Sequence, residues 1–296
     1  MRRILRLKNK LQMKNLGNYT KAIMFSVIAM VGLQSTAQKI EMPAPSPLQT
    51  VTQKFGLGEV TIEYSRPSVK NRTIFGDIVP YGKMWRTGAN ASTKITFTQD
   101  VEVEGNPVKA GTYAMYTIPD RNTWEVMLYT DLKLGGKVAE YNKENEVLHV
   151  IVKPIRIPMK IETLTWNLGN VEPSSAVITM LWENVFLPIK ITTKIDDQVM
   201  KNIEASMKSD EPDYFRAAGY YFENDKDLKQ ALEWVNKAVE LNPTAYYMMF
   251  LKAKIEYKMG DKKAGNASAE NTIALAEEAK NADYVALASK LLEANK

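Results

Sequence analysis

No cysteine occurs among the 296 residues, and histidine occurs once, at position 149. The first absence excludes disulfides, thiolate metal sites, a cysteine nucleophile and lipid attachment through an N-terminal cysteine. The second excludes any metal site that draws on two imidazoles. There is no G-x-S-x-G elbow, phosphate-binding loop or dinucleotide fingerprint, and no cofactor is implied. Residues 1–37 contain no acidic side chain, yet they carry Arg2, Arg3, Arg6, Lys8, Lys10, Lys14 and Lys21.

What is present begins with that basic segment. It leads into an apolar run, Ala22 to Leu33, and then into Ser35-Thr36-Ala37, small residues at the positions a signal peptidase reads. The order is that of a secretory signal peptide cleaved after Ala37, with translation starting at Met1 or Met13. The apolar run is 12 residues long, short of the roughly 20 that cross a bilayer. We expect export to the periplasm or beyond the cell, with no membrane span after cleavage. The whole chain is +5, and loss of the seven basic residues of 1–37 leaves −2. The basic balance is thus a targeting feature and does not indicate nucleic acid as a partner.

The remainder divides in two. Over 38–194 the pattern has period two, or short β-branched runs separated by turn residues such as Gly58, Gly105-Asn106-Pro107 and Pro119-Asp120. Ten strands are expected: 49–55, 59–64, 94–98, 101–103, 111–118, 124–130, 147–152, 161–168, 176–182 and 186–192. That number predicts an antiparallel β-sandwich of jelly-roll type, with a closed barrel as the competing arrangement. Over 195–296 the period becomes helical. Ser209, Asp210 and Glu211 with Pro212 mark a helix start. Leu228, Ala231, Leu232, Val235, Ala238 and Val239 form one stripe that ends at Asn242-Pro243. A weaker copy follows at an offset of 36, and Tyr284 to Leu292 reads as a closing helix.

The longest connection is Ser65 to Thr93. Connections beyond roughly 12–15 residues inside a compact domain are usually functional or disordered. Ile74, Phe75, Ile78, Val79, Tyr81, Met84 and Trp85 give this one apolar weight of its own, which argues for order. It holds five cations, Arg66, Lys70, Arg72, Lys83 and Arg86, against Asp77 alone. The planar guanidinium fork suits carboxylates, phosphates and sulfates and also stacks on aromatic rings. Arg66, Tyr81, Lys83, Trp85, Arg86, Thr87 and Asn90 are therefore candidate ligand-binding residues for a small anionic or sugar-like molecule, with Arg66 and Arg86 converging on one hollow. The architectural alternative places Trp85 in the core, has Arg86 and Asn90 satisfy loop carbonyls, and pairs Arg66 with Asp77.

Two resemblances add to this reading. The segment from Tyr214 to Pro243, with Phe215, Gly219, Phe222, Ala231, Ala238 and Pro243 in register, resembles a tetratricopeptide repeat, which implies stacked helical hairpins and a protein partner engaged through 209–292. The strings Tyr64 to Lys70, Ile74-Phe75-Gly76, Val79 to Lys83, Trp85 to Asn90 and Ala110 to Tyr113 are similar to domain of unknown function 2911, an uncharacterised family of secreted bacterial proteins. This second resemblance implies an exported β-rich domain and no particular activity.

The enzyme alternative is an envelope or extracellular hydrolase acting on a polysaccharide-type substrate through paired carboxylates, Glu59 with Glu63 or Glu102 with Glu104. Both pairs lie at even strand spacing and read first as solvated strand faces. His149 shares a face with Val147 and Ile151, which suits a strand histidine with a satisfied partner better than a catalytic base. For metals, Asp196-Asp197 and Glu277-Glu278 are adjacent pairs without ligand-loop spacing, and Met248, Met249 and Met259 are the one soft cluster. The leading expectation is an exported binding protein, the runner-up the hydrolase, and the third a purely structural or interaction protein.

Overall fold

The computed structural model describes residues 41–295; the leader and its cleavage after Ala37 lie outside them. Among the described residues ten strands form two antiparallel sheets. The first contains β1 (Leu48–Phe55), β2 (Gly58–Ser65), β3 (Thr93–Phe97), β6 (Gly111–Ile118), β7 (Trp124–Tyr129) and β8 (Glu146–Val152), in that spatial order. The second has the order β5 (Asn106–Val108), β4 (Val101–Val103), β10 (Ser175–Thr192) and β9 (Ile155–Gly169). Both sheets are open, so the closed barrel is not formed. Their inner faces supply one core that includes Ile62, Tyr64, Ile95, Trp124, Trp166, Met180, Trp182 and Leu187.

Three strand expectations change. The runs 176–182 and 186–192 belong to a single strand, β10. Its buried positions alternate on even numbers as far as Trp182 and on odd numbers from Val185. The slip comes from Glu183 at φ +53 and from register shifts on both sides of it, a β-bulge that re-aims the strand without ending it. Asn106-Pro107, expected as turn, begins the short strand β5. β9 starts at Ile155, six residues before its expected start, because that stretch is mostly exposed and carries no alternating signal.

Six helices follow among the described residues: α1 (Asp196–Met207), α2 (Tyr214–Glu223), α3 (Leu228–Leu241), α4 (Tyr246–Lys258), α5 (Lys262–Glu278) and α6 (Ala282–Ala294). Each helix from α2 packs on the next. The expected stripe on α3 is present: Ala231, Val235 and Ala238 are buried, and Leu232 packs beside them. α2 starts two residues after Pro212, where the Asp213 carboxylate accepts a hydrogen bond from the Arg216 amide and caps the helix. No helix of the described residues is long and apolar enough to cross a membrane.

Candidate functional site

The connection between β2 and β3 first runs along the edge of β9. Val69 N donates to Glu162 O at 2.7 Å, Leu164 N donates to Pro67 O at 2.9 Å, and Ser68 bridges Thr163. It then turns through Lys70 and Asn71, both at positive φ, and crosses one end of the sandwich. Ile74, Phe75 and Val79 fill that end, with the Phe75 ring edge-on to Trp124 at 5.0 Å and to Trp182 at 5.9 Å. Finally Trp85 exchanges both backbone hydrogen bonds with Thr117, at 2.8 and 3.0 Å, continuing the line of β3 beside β6.

This path settles where each candidate side chain goes. Successive residues of an extended segment point to opposite faces. Trp85 therefore enters the core, stacked on Trp182 at 5.7 Å, while its indole N–H donates to Gly88 O. Arg86 emerges on the outer face of the first sheet, so close to Gly136 that a Cβ there would lie 3.1 Å from a guanidinium nitrogen. Its Nε is buried without a hydrogen-bond partner. Arg66 reaches the second sheet instead: its Nε donates to Leu164 O at 3.0 Å and a terminal nitrogen to Thr165 Oγ1 at 2.9 Å. The two arginines thus contact different elements and share no hollow. Arg66 makes no ion pair with Asp77.

Thr87 is wholly buried and donates to Trp85 O, while Asn90 Nδ2 donates to Ser65 Oγ. Both knit the connection to itself. Arg72 does the same, donating to Ser68 O and Val69 O. Lys83 is exposed. Of the seven candidates, Tyr81 alone is joined by arginines from elsewhere. Arg156, at the start of β9, donates to the Tyr81 hydroxyl at 3.1 Å and to Asn184 Oδ1 at 2.7 Å. Arg121, in the turn between β6 and β7, lies 5.6 Å from the centroid of the Tyr81 ring. Asp120, Pro154 and Val185 complete a notch of about 10 Å³. That is room for about one water, too small to admit a larger molecule.

Sequence reasoning missed Arg121 and Arg156. Arg121 stands beside the recognised turn Pro119-Asp120, and Arg156 lies in the stretch of β9 that lacks alternation. The bulge at Glu183 brings Asn184 to Arg156, and nothing local announces that meeting. One electrostatic pattern links the old and new candidates. Among the described residues Arg66, Lys70, Arg72, Lys83, Arg86, Arg121 and Arg156 have no carboxylate oxygen within ion-pair distance. Elsewhere on the sandwich Lys54, Lys94, Lys109 and Lys194 are paired, at 2.6–2.9 Å, while Lys133, Lys137, Lys143, Lys153, Lys160 and Lys190 are not. It is therefore the meeting of Arg121 and Arg156 on Tyr81, and not the lack of ion pairs, that sets this place apart.

The carboxylates considered for hydrolysis are engaged. Glu59 pairs with Lys54, Glu63 with Lys94 and Glu102 with Lys194, which holds the Glu102 carboxyl below its ordinary value. Glu104 accepts from the Lys190 amide. His149 sits on the outer face of β8 with one ring nitrogen 2.7 Å from Glu125 and the other 3.0 Å from Glu146. The second oxygen of Glu146 accepts from Tyr141, whose hydroxyl is pushed far above the ordinary phenol range by burial and by that bond.

No curated protein matches the chain. Residues 46–191, which span both sheets and the connection between β2 and β3, match the family described as Protein of unknown function (DUF2911).

Proposed function

We propose that the protein is an exported binding protein that holds an anionic or polyhydroxylated ligand on the surface formed by Tyr81, Arg121 and Arg156. The observation that carries this reading is the meeting of Arg121 and Arg156 on Tyr81, neither with a carboxylate within ion-pair distance among the described residues. A guanidinium fixed by Tyr81 and Asn184 is already oriented, so binding an anion costs little additional side-chain entropy. Arg121 and the Tyr81 ring offer a flat face that suits a sugar ring or a planar carboxylate. The basic leader supports export.

The helical region supports a protein contact. Phe215, Tyr247, Phe250 and Tyr284, from α2, α4 and α6, line a groove of about 390 Å³ together with Arg216 and Lys254. Stacked hairpins of tetratricopeptide type present such a groove on one side.

Calorimetric titration with polygalacturonate, inorganic sulfate and a neutral glucan tests the ligand site. Arg156→Ala and Arg121→Ala should each weaken polygalacturonate binding about tenfold or more, the scale of a lost charge-assisted contact. Arg72→Ala should leave it within about twofold, because that side chain serves its own turn. Equal affinity in all three variants, or equal binding of the neutral glucan, sinks the assignment.

A further inference from the structure

We propose that the crevice where the β1–β2 turn meets α1 and α2 is a second site, one that takes a single alkyl or acyl chain. Two adjoining hollows of about 430 and 510 Å³ share Leu57, Val199 and Tyr220 as walls. Both volumes fall within the roughly 300–1,000 Å³ of small-molecule sites, which lie preferentially between packed units and are mostly apolar. Leu57, Val199, Ile203 and Ala217 make the apolar lining of the smaller hollow.

Three features indicate a built site. First, Leu57 occupies the tip of a two-residue turn, a position where glycine, asparagine, aspartate or serine is usual, and it is 53% exposed. Second, the walls are braced. Gln99 accepts from Leu57 N and donates to Phe55 O, fixing the turn. Gly56 has φ +59, and a Cβ there would fall 2.4 Å from the Gln99 amide. On the opposite wall the Tyr220 hydroxyl donates to Asp196 at 2.7 Å, and Lys226 pairs with the same carboxylate at 2.8 Å. Third, α1 buries no side chain, and its Val199 and Ile203 line the crevice, while Met200 and Met207 line a separate hollow with Tyr221 and Trp234.

The charges around the mouth define the ligand class. Lys194 is paired with Glu102 at 2.6 Å, Lys226 with Asp196, and Arg216 with Asp213 at 3.5 Å. No cation is left to hold an anionic head, and Glu223 on the rim repels one. The site therefore binds the hydrocarbon and leaves an uncharged head group in solvent. This is the reverse of the Tyr81 surface, where Arg121 and Arg156 have no carboxylate within ion-pair distance among the described residues.

N-phenyl-1-naphthylamine, a neutral apolar dye that fluoresces on leaving water, tests the proposal on the chain from residue 38 to 296. We expect saturable 1:1 binding, displacement by dodecanol at lower concentration than by dodecanoate, and at least tenfold weaker dye binding in Leu57→Asp. Leu57 is an exposed turn residue, so this variant should fold; Ile203→Glu, its fold checked by circular dichroism, provides a second reading from the opposite wall. Absence of saturable binding overturns the proposal, as does unchanged affinity in both variants. A concentration-dependent dimer abolished by Leu57→Asp, without dye binding, would instead identify a second copy as the occupant and overturn it too.

Discussion

Thr87 is wholly buried at φ +59. A β-branched residue in that region is a genuine outlier, with a cost on the order of 1–3 kcal/mol. Its neighbours hold it there: its hydroxyl reaches Trp85 O and Thr117 Oγ1 at 3.2 Å each, and Thr93 Oγ1 donates to its carbonyl at 2.6 Å. The clamp fixes Trp85 inward and Arg86 outward. Thr87→Ala deletes the hydroxyl and keeps the backbone strain, so it should lower stability by about 1–3 kcal/mol, the cost of leaving a buried hydrogen-bonding group unsatisfied. Thr87→Gly loses the same bonds but relieves the strain, so its loss should be smaller. Urea unfolding of both variants checks the order, and a glycine variant less stable than the alanine variant contradicts it.

At the scale of elements, the passage from sandwich to helices depends on Asp196 at the start of α1. Hydrogen bonds from Lys226 and then Tyr220 hold its carboxyl below the ordinary value. A carboxyl whose folded pKa is depressed contributes stability above its unfolded value, about 3.9, and that contribution is lost as pH falls through the folded value. The Tyr220 hydroxyl is pushed up to about 12, chiefly by burial and then by its bond to Asp196. A raised phenol contributes stability that is fully present below about pH 10 and is lost as pH rises toward 12. The difference in melting temperature between wild type and Asp196→Asn should therefore be flat from pH 5 to 9 and shrink below pH 4. A difference that stays constant down to pH 2 removes Asp196 from this role. Elements like this one also show what was legible in the sequence. Strands with clean alternation, such as β2 and β6, and the stripe on α3 were readable from residue spacing. β10 was read as two strands because its bulge shifts the phase by one residue. Tyr81 was a candidate because it lies on the long connection. Arg121 and Arg156 were not, because a register shift and a neighbouring turn bring them there from separate stretches of chain.

At the scale of the molecule, no buried apolar cluster among the described residues straddles residue 195. The large core draws only on Phe55 to Ile191, a second cluster lies on the outer face of the first sheet, and the third draws only on α2, α3 and α4. Cooperative unfolding follows shared burial, so each part carries its own apolar support for folding. The chain leaves the sandwich already tied to it, with Thr193 N donating to Ser174 O and Thr193 Oγ1 to Asp100 O. A protein ending at Lys194 keeps both anchors and the whole Tyr81, Arg121 and Arg156 surface. It should give one calorimetric transition, within a few degrees of one of two transitions in the chain from residue 38 to 296, and it should bind polygalacturonate with unchanged affinity. It should not bind N-phenyl-1-naphthylamine, because α1 and α2 supply one wall of that crevice. If the shortened protein fails to fold, or the full chain melts in a single transition well above it, the helices are part of one cooperative unit and the independence of the two cores is refuted. If it folds and loses polygalacturonate binding, the helices take part in the anion site, and the Tyr81 surface is only a fragment of it.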